Sequence, residues 1–334
     1  MNEWLTTTAQ PAVLVTVARV EGSAPREPGA KFLVTADTLH DTIGGGHLEL
    51  RAVEIAREML ATGGTQVRHE RFGLGPSLGQ CCGGVVWLAF EPITGSVAES
   101  LTVLRGNRNS DFWRVASIAG RPRNAVFDTH GTLVAGEADV PRHFPRTSSA
   151  IVLPDGWLVD PIPAPASHLV LFGAGHVGAA IVRALAHLPC TITWVDERDD
   201  MFPAQVPANV TIEATDTPEA EVDAAPPGAS YLVLTHSHAL DERLSAAILA
   251  RDDVGWFGLI GSKTKRVLFE RRLQARGLPP DRIDAMVCPI GLPGITDKAP
   301  AAIAVSVAAQ LLMTWEAQAH AAAAMPRQPA LQES

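Results

Sequence analysis

The chain is short of cysteine, short of charge and free of any long uninterrupted apolar run, and each shortage removes a class of protein. Four of its 334 residues are cysteine: Cys81 and Cys82 are adjacent, Cys190 and Cys288 remote. That is too few and too scattered for a disulfide framework and implies a reducing, cytoplasmic setting. Charged residues make up 19% and hydrophobic residues 46%, which excludes a disordered polyelectrolyte and a coiled coil. Lys and Arg (27) are outnumbered by Asp and Glu (36), giving a net charge of −9. Such a molecule repels nucleic acid and anionic membranes, so neither is expected as a partner. Residues 1–12 lack the basic-then-apolar pattern of a signal peptide. The longest nearly apolar stretch, residues 299–315, is broken by Ser306 and Gln310 and falls short of the roughly 20 residues that cross a bilayer, so it reads as a buried helix.

What is present is enough for about two domains of roughly 150 residues each. Three prolines in residues 160–167 favour an extended spacer and cannot sustain a helix or a central strand. Upstream, residues 12–20, 31–36, 85–90, 112–118 and 150–153 read as strands, and apolar positions between Leu48 and Leu60 recur at helical spacing until Gly63 and Gly64 stop them. Downstream, continuous apolar strands alternate with helical patterns, which means a parallel sheet covered on both faces. The fold class is therefore α/β: a strand-rich mixed α/β N-terminal domain (residues 1–159), a Pro-rich linker (160–167), a Rossmann-like doubly wound parallel sheet (168–325) and a flexible tail (326–334).

The second domain opens with a buried strand that runs through Gly173-Ala-Gly175-His176-Val-Gly178 into a helix, and the next strand ends in Asp196. In that context Gly173 permits a tight turn, Gly175 lets backbone approach a phosphate, and Gly178 lets helix pack on strand. The free N–H groups of the helix start suit an anion. Asp196 suits a ribose diol, while Arg198 suits a 2′-phosphate. The same glycines also serve a plain strand-to-helix corner. Two further segments reach the same sheet edge. Thr235-His236-Ser-His238-Ala-Leu-Asp241 suits a proton relay or a metal ligand set, and equally suits a plain helix start with Ser237 as cap and Asp241 in the first turn. The cations Lys263, Lys265 and Arg266 suit a phosphate or carboxylate, or form a solvated helix face.

In the first domain, Gly75-Pro-Ser-Leu-Gly79-Gln80-Cys81-Cys82-Gly83-Gly84 concentrates glycine around paired thiols. Neighbouring Cα atoms about 3.80 Å apart do not suit a relaxed disulfide, which wants about 4.4–6.8 Å. Two thiols alone cannot close a structural zinc site. A soft thiolate beside open backbone reads as a ligand for a soft or thiol-bearing cofactor; the other reading is one buried inert cysteine beside an incidental one. Gly44-Gly45-Gly46, leading into a helix, is a second candidate anion cradle, and Arg26 sits on a stiff turn between prolines. Either can be ordinary turn chemistry.

These segments together resemble the XdhC/CoxI family. The resemblance rests on Glu21-Gly-Ser-Ala-Pro-Arg-Glu-Pro-Gly-Ala-Lys31, Thr42-Ile-Gly-Gly-Gly-His-Leu-Glu49, Gly79-Gln-Cys-Cys-Gly-Gly84, Leu171-Phe-Gly-Ala-Gly-His-Val-Gly178, Thr235-His-Ser-His-Ala-Leu-Asp241, Gly258-Leu-Ile-Gly-Ser-Lys-Thr-Lys-Arg266 and Cys288-Pro-Ile-Gly-Leu292. It implies a cytoplasmic chaperone of purine catabolism, not itself an enzyme. Such a protein binds the molybdenum cofactor in its molybdopterin form, protects it while a sulfur is installed, and inserts it into xanthine dehydrogenase. The implied partners are the molybdenum-binding subunit of xanthine dehydrogenase, a cysteine desulfurase and further copies of this chain. On that basis Gln80, Cys81, Cys82, Gly83, Gly173, Gly175, His176, Gly178, Asp196 and Lys263 are the expected cofactor-binding residues, with Cys81 and Cys82 the candidate molybdenum ligands. The alternative is an NAD(P)-dependent oxidoreductase built on the Rossmann-like domain, with Asp196 for ribose and His236 or His238 as acid or base.

Overall fold

The computed structural model describes residues 3–7, 11–75 and 83–324; the expectations for Gln80, Cys81, Cys82 and the tail fall outside them. The chain divides into two units that part between residues 164 and 165.

The first unit runs α1 (Glu3–Thr6), β1 (Val13–Glu21), β2 (Lys31–Val34), β3 (Leu39–His40), α2 (Gly46–Ala61), β4 (Arg68–Gly73), β5 (Val85–Pro92), α3 (Gly95–Gly106), β6 (Phe112–Ser117), β7 (Asn124–Phe127), β8 (Leu133–Gly136), β9 (Ile151–Val152) and β10 (Trp157–Ile162). Among the described residues it forms two five-stranded sheets, ordered β3-β2-β1-β5-β4 and β8-β7-β6-β10-β9, and every strand pairing in them is antiparallel. Strand alternation decides which face does what. Val13, Val15 and Val17 of β1 pack with Leu48, Ala52, Ile55, Ala56 and Met59 of α2. Leu14 and Ala18 point the other way and meet side chains of the second sheet, among them Val126, Ile162, Ile118 and Leu158. Losing one of the larger buried chains here, such as Phe90, typically costs about 3–5 kcal/mol.

Between the two sheets lies a buried ionic group with no counterpart in the sequence reading. Arg114 of β6 donates from Nε to Asp160 Oδ2 at 3.0 Å and from both Nη atoms to the Glu91 carboxylate at 2.9 Å. Lys31 of β2 donates to Asp160 Oδ1 at 2.8 Å and to the Gly29 carbonyl at 2.6 Å. Burial pushes the Lys31 ammonium below its ordinary value; Asp160 opposes the shift and Arg114 adds to it. Two cations and two carboxylates balance, the condition under which charges are tolerated in a dry interior.

The second unit runs β11 (Ser167–Phe172), α4 (His176–Leu185), β12 (Cys190–Asp196), β13 (Val210–Ala214), α5 (Glu219–Ala224), β14 (Ser230–Val233), α6 (His238–Ala250), β15 (Trp256–Leu259), α7 (Lys263–Ala275), α8 (Pro280–Asp284), β16 (Met286–Val287) and α9 (Pro300–Ala324). Its sheet is ordered β13-β12-β11-β14-β15-β16 and all its pairings are parallel. The order reverses between β11 and β14, the switch point where sheets of this kind bind ligands. Helices α4 and α9 cover one face, through Ile181, Leu185, Val307, Leu311 and Trp315. Helices α5 to α8 cover the other, through Val222, Leu244, Ile248, Phe269, Leu273 and Ile283.

Two readings need correction. The linker is narrower than residues 160–167, because Asp160-Pro161-Ile162 completes β10 and pairs with Phe112, Trp113 and Arg114 of β6. The neighbouring β9 reaches only Leu158 and Val159, so Pro161 lies on a locally uncovered flank, where a missing N–H is tolerated. Helix α9 is also longer than the apolar run suggested. It continues through the Ala-rich segment, and its stretch Pro300–Ala321 is long and apolar enough by length and composition to cross a membrane, with 33% of its apolar window buried in the fold.

Candidate functional site

The glycine turn after β11 behaves as its spacing predicts. Gly173 has φ +119°, and a Cβ there would lie 2.4 Å from the Leu234 carbonyl oxygen. A Cβ on Gly178 would lie 2.1 Å from the Gly173 oxygen. Both glycines are dictated by packing. Gly175 differs: no atom lies within 4 Å of its Cβ position. It is the N-cap of α4 and supplies no side-chain cap, and exposed His176 is the first residue of that helix.

This turn borders a small cleft lined by Phe172, Gly173, Asp196, Glu197, Thr235 and His236, among others. Asp196 is there but fully engaged. Its Oδ2 accepts from the Ala174 amide at 2.7 Å and Arg198 Nη2 at 3.0 Å. Its Oδ1 accepts from the Arg198 amide at 3.0 Å and Nε at 2.9 Å. Burial pushes this carboxyl up, but the Arg198 side chain and the two amides outweigh it and hold it below the usual carboxylate range. Four donors use the four lone-pair positions of a carboxylate, so a ribose diol meets this acid only after Arg198 swings away.

The other residues of the edge are sorted differently from their sequence order. Ser237 caps α6 by accepting from the Leu240 amide, the structural alternative for that segment. Asp241 is not a surface charge in a first turn: it is buried, accepts from the Thr235 amide at 3.1 Å and hydroxyl at 2.7 Å, and pairs with Lys265 Nζ at 2.7 Å. Lys265 also donates to the Ile260 carbonyl. Lys263 stands exposed at the start of α7 and does not line the cleft, nor does His238. Cys190 and Cys288 are buried. Burial pushes the Cys190 thiol up to about 11 and raises that of Cys288 against the pull of Lys265 and Arg266. Neither is a ready nucleophile.

In the first unit, three segments that looked separate in sequence meet. A Cβ on Gly84 would lie 2.3 Å from the Ser23 carbonyl oxygen, and one on Gly44 would lie 2.4 Å from Pro25 Cβ and 3.4 Å from Arg26 Cγ. The turn of residues 22–29 is thus clamped between the triple-glycine loop and the glycines that follow the paired cysteines. Gly83, next to the clamp, is exposed and has no atom within 4 Å of its Cβ position. The Leu74 amide donates to the Gly84 carbonyl at 2.8 Å and closes the base of the segment carrying Cys81 and Cys82. The triple-glycine loop is not a vacant cradle, since Glu49 Oε2 accepts from the Ile43 amide at 2.9 Å and the Gly45 amide at 3.2 Å. Among the described residues no group of three or more His, Cys, Asp or Glu is placed to hold a metal ion.

An antiparallel α/β unit carrying a glycine-clamped loop, followed by a Rossmann-type unit with a cleft at its switch point, defines the class. Two family models match the chain: the XdhC and CoxI family over residues 5–73, and the XdhC Rossmann domain over residues 169–311. The chain belongs to the XdhC/CoxI family. Among curated proteins it is similar to the uncharacterized protein YqeB of Escherichia coli (strain K12), 32% identical over 145 residues, which is 43% of this chain and 26% of that protein. The match therefore spans about a quarter of that relative. Among solved structures it shares its fold with a Bacillus halodurans protein described as a xanthine dehydrogenase, with a TM-score of 0.73, 22% identity and 96% of each chain covered.

Proposed function

We propose that this chain binds the molybdenum cofactor, shields it while its sulfur is installed and inserts it into xanthine dehydrogenase, with no turnover of its own. Family membership supports a part in xanthine dehydrogenase maturation. The observation that carries the finer reading is the clamp in the first unit. Gly84 and Gly44 pack against the residue 22–29 turn, and Gly83, which follows Cys82 in the chain, is exposed with no atom within 4 Å of its Cβ position. Thiols suit a soft metal centre, and the cofactor supplies that centre together with a dithiolene pterin and a phosphate. Gln80, Cys81, Cys82 and Gly83 would hold the metal end. Its partners would be the molybdenum-binding subunit of the dehydrogenase and a cysteine desulfurase, in the cytoplasm.

An NAD(P)-dependent oxidoreductase is the weaker reading, because Asp196 is saturated by Arg198 and Ala174. The test is to purify the full chain from cells that make the cofactor and assay molybdenum, oxidised pterin fluorescence and bound nucleotide. Molybdenum with pterin, lost in Cys81→Ser or Cys82→Ser, is the expected result. Retention unchanged in both variants overturns the thiol role, and nucleotide with turnover overturns the chaperone.

A further inference from the structure

Three side chains line up across the first sheet. Arg19 of β1 stands opposite Trp87 of β5, and Trp87 stands opposite Arg71 of β4. Directly opposite residues of antiparallel strands share a face. The guanidinium carbons lie 4.9 Å (Arg19) and 5.7 Å (Arg71) from the indole centroid, within cation–π reach. Val86 and Leu88, on either side of Trp87, point into the α2 core. Trp87 itself is half-buried, and both arginines are exposed.

The two cations differ. Arg19 donates to Glu21 at 2.5 Å, whereas Arg71 has no carboxylate partner among the described residues. The next rung on the same face is Gly73, Val85 and Glu21. Gly73 is exposed, with no atom within 4 Å of its Cβ position, so it forms a bare shelf beside the indole. Strand β4 is an edge strand, which leaves that shelf open on one side. The rung lies immediately below the Leu74–Gly84 hydrogen bond that closes the cysteine segment.

An indole, an open shelf and an unpaired guanidinium side by side fit a flat heterocycle that carries an anionic group. The ring lies against the indole, and the planar fork of Arg71 takes the anion. An aliphatic partner leaves that guanidinium unpaired, and a nucleic-acid polyanion is opposed by the net charge of −9. We propose that the Arg19–Trp87–Arg71 row is the subsite for the pterin and phosphate end of the cofactor, one rung from the thiol segment. This identification rests on the cofactor-binding reading above.

The test is a fluorescence-anisotropy titration of the full chain with two probes, hydroxymethylpterin phosphate and its dephosphorylated form. The wild-type chain should prefer the phosphorylated probe. Arg71→Gln should bind that probe about tenfold more weakly and lose the preference, Arg71→Lys should restore part of it, and Trp87→Leu should weaken both probes alike. Arg71 is exposed on an edge strand, so its variants keep the fold even where Trp87→Leu does not. Equal binding by wild type and Arg71→Gln, or no binding of either probe by wild type, overturns the subsite. Recovery of molybdenum and pterin with the purified wild-type chain is measured in parallel. Recovery alongside unchanged Arg71→Gln binding sinks the subsite alone. No recovery alongside Arg71-dependent probe binding sinks the cofactor reading alone.

Discussion

Arg114 and Asp160 face each other across β6 and β10, and their side chains, both wholly shielded from solvent, meet at 3.0 Å. Arg114 also holds Glu91, and Asp160 also holds Lys31, so removing one member strands a charge. Asp160→Asn is expected to destabilise the chain by about 3–5 kcal/mol. In urea unfolding this appears as a lower midpoint with little change of slope. A loss below about 1 kcal/mol would show that the pair adds nothing net.

Two glycines of the β11–α4 turn, Gly178 and Gly175, should separate by experiment. Gly178→Ala forces a Cβ against the Gly173 carbonyl oxygen and is expected to cost about 1–3 kcal/mol. Gly175→Ala meets nothing and should stay within about 1 kcal/mol of wild type. Thermal unfolding of both variants decides. Equal losses would contradict a corner set by backbone packing.

Much of this architecture was legible in the chain. The alternating apolar strands and helical repeats after residue 167 gave the parallel sheet because strands buried on both faces read as continuous apolar runs. Glycine spacing gave the β11–α4 corner. Strand β4, Arg-His-Glu-Arg-Phe-Gly, escaped because an edge strand with one face open carries few apolar residues. Helix α3 (Gly95–Gly106) has no counterpart among the elements read from the apolar pattern. The ionic layer escaped for a different reason: Glu91, Arg114 and Asp160 are far apart in sequence, and only pairing across sheets brings them together. A signal did exist, since Glu91 is the single charged residue of an otherwise apolar β5. Lys265, rather than Lys263, is the cation of α7 that pairs with buried Asp241.

That contrast is measurable. Lys265→Met leaves the buried Asp241 carboxylate with Thr235 as its remaining partner and is expected to cost about 3–5 kcal/mol. Lys263→Met, at an exposed position, should stay within about 0.5 kcal/mol. Chemical denaturation of the two variants side by side checks the assignment, and comparable losses would refute it.

Asp196 should confer a dependence on acid. Its carboxyl titrates below its ordinary value because burial, which pushes it up, is outweighed by Arg198 and the amides of Ala174 and Arg198. A lowered folded-state value means that its contribution is complete above about pH 4, near the unfolded carboxyl value, and vanishes as pH falls through the folded one. The melting temperature of wild type should therefore exceed that of Asp196→Asn at neutral pH. The gap should close as the pH is taken down below about 4. A gap that stays constant as the pH falls contradicts the pairing of Asp196 with Arg198.

The bond from the Leu74 amide to the Gly84 carbonyl sits on the β4–β5 pairing, so the intervening stretch leaves and rejoins the same hairpin at adjacent points. The two strands that flank Cys81 and Cys82 in sequence are therefore held in register by their own ladder, up to the rung next to that bond.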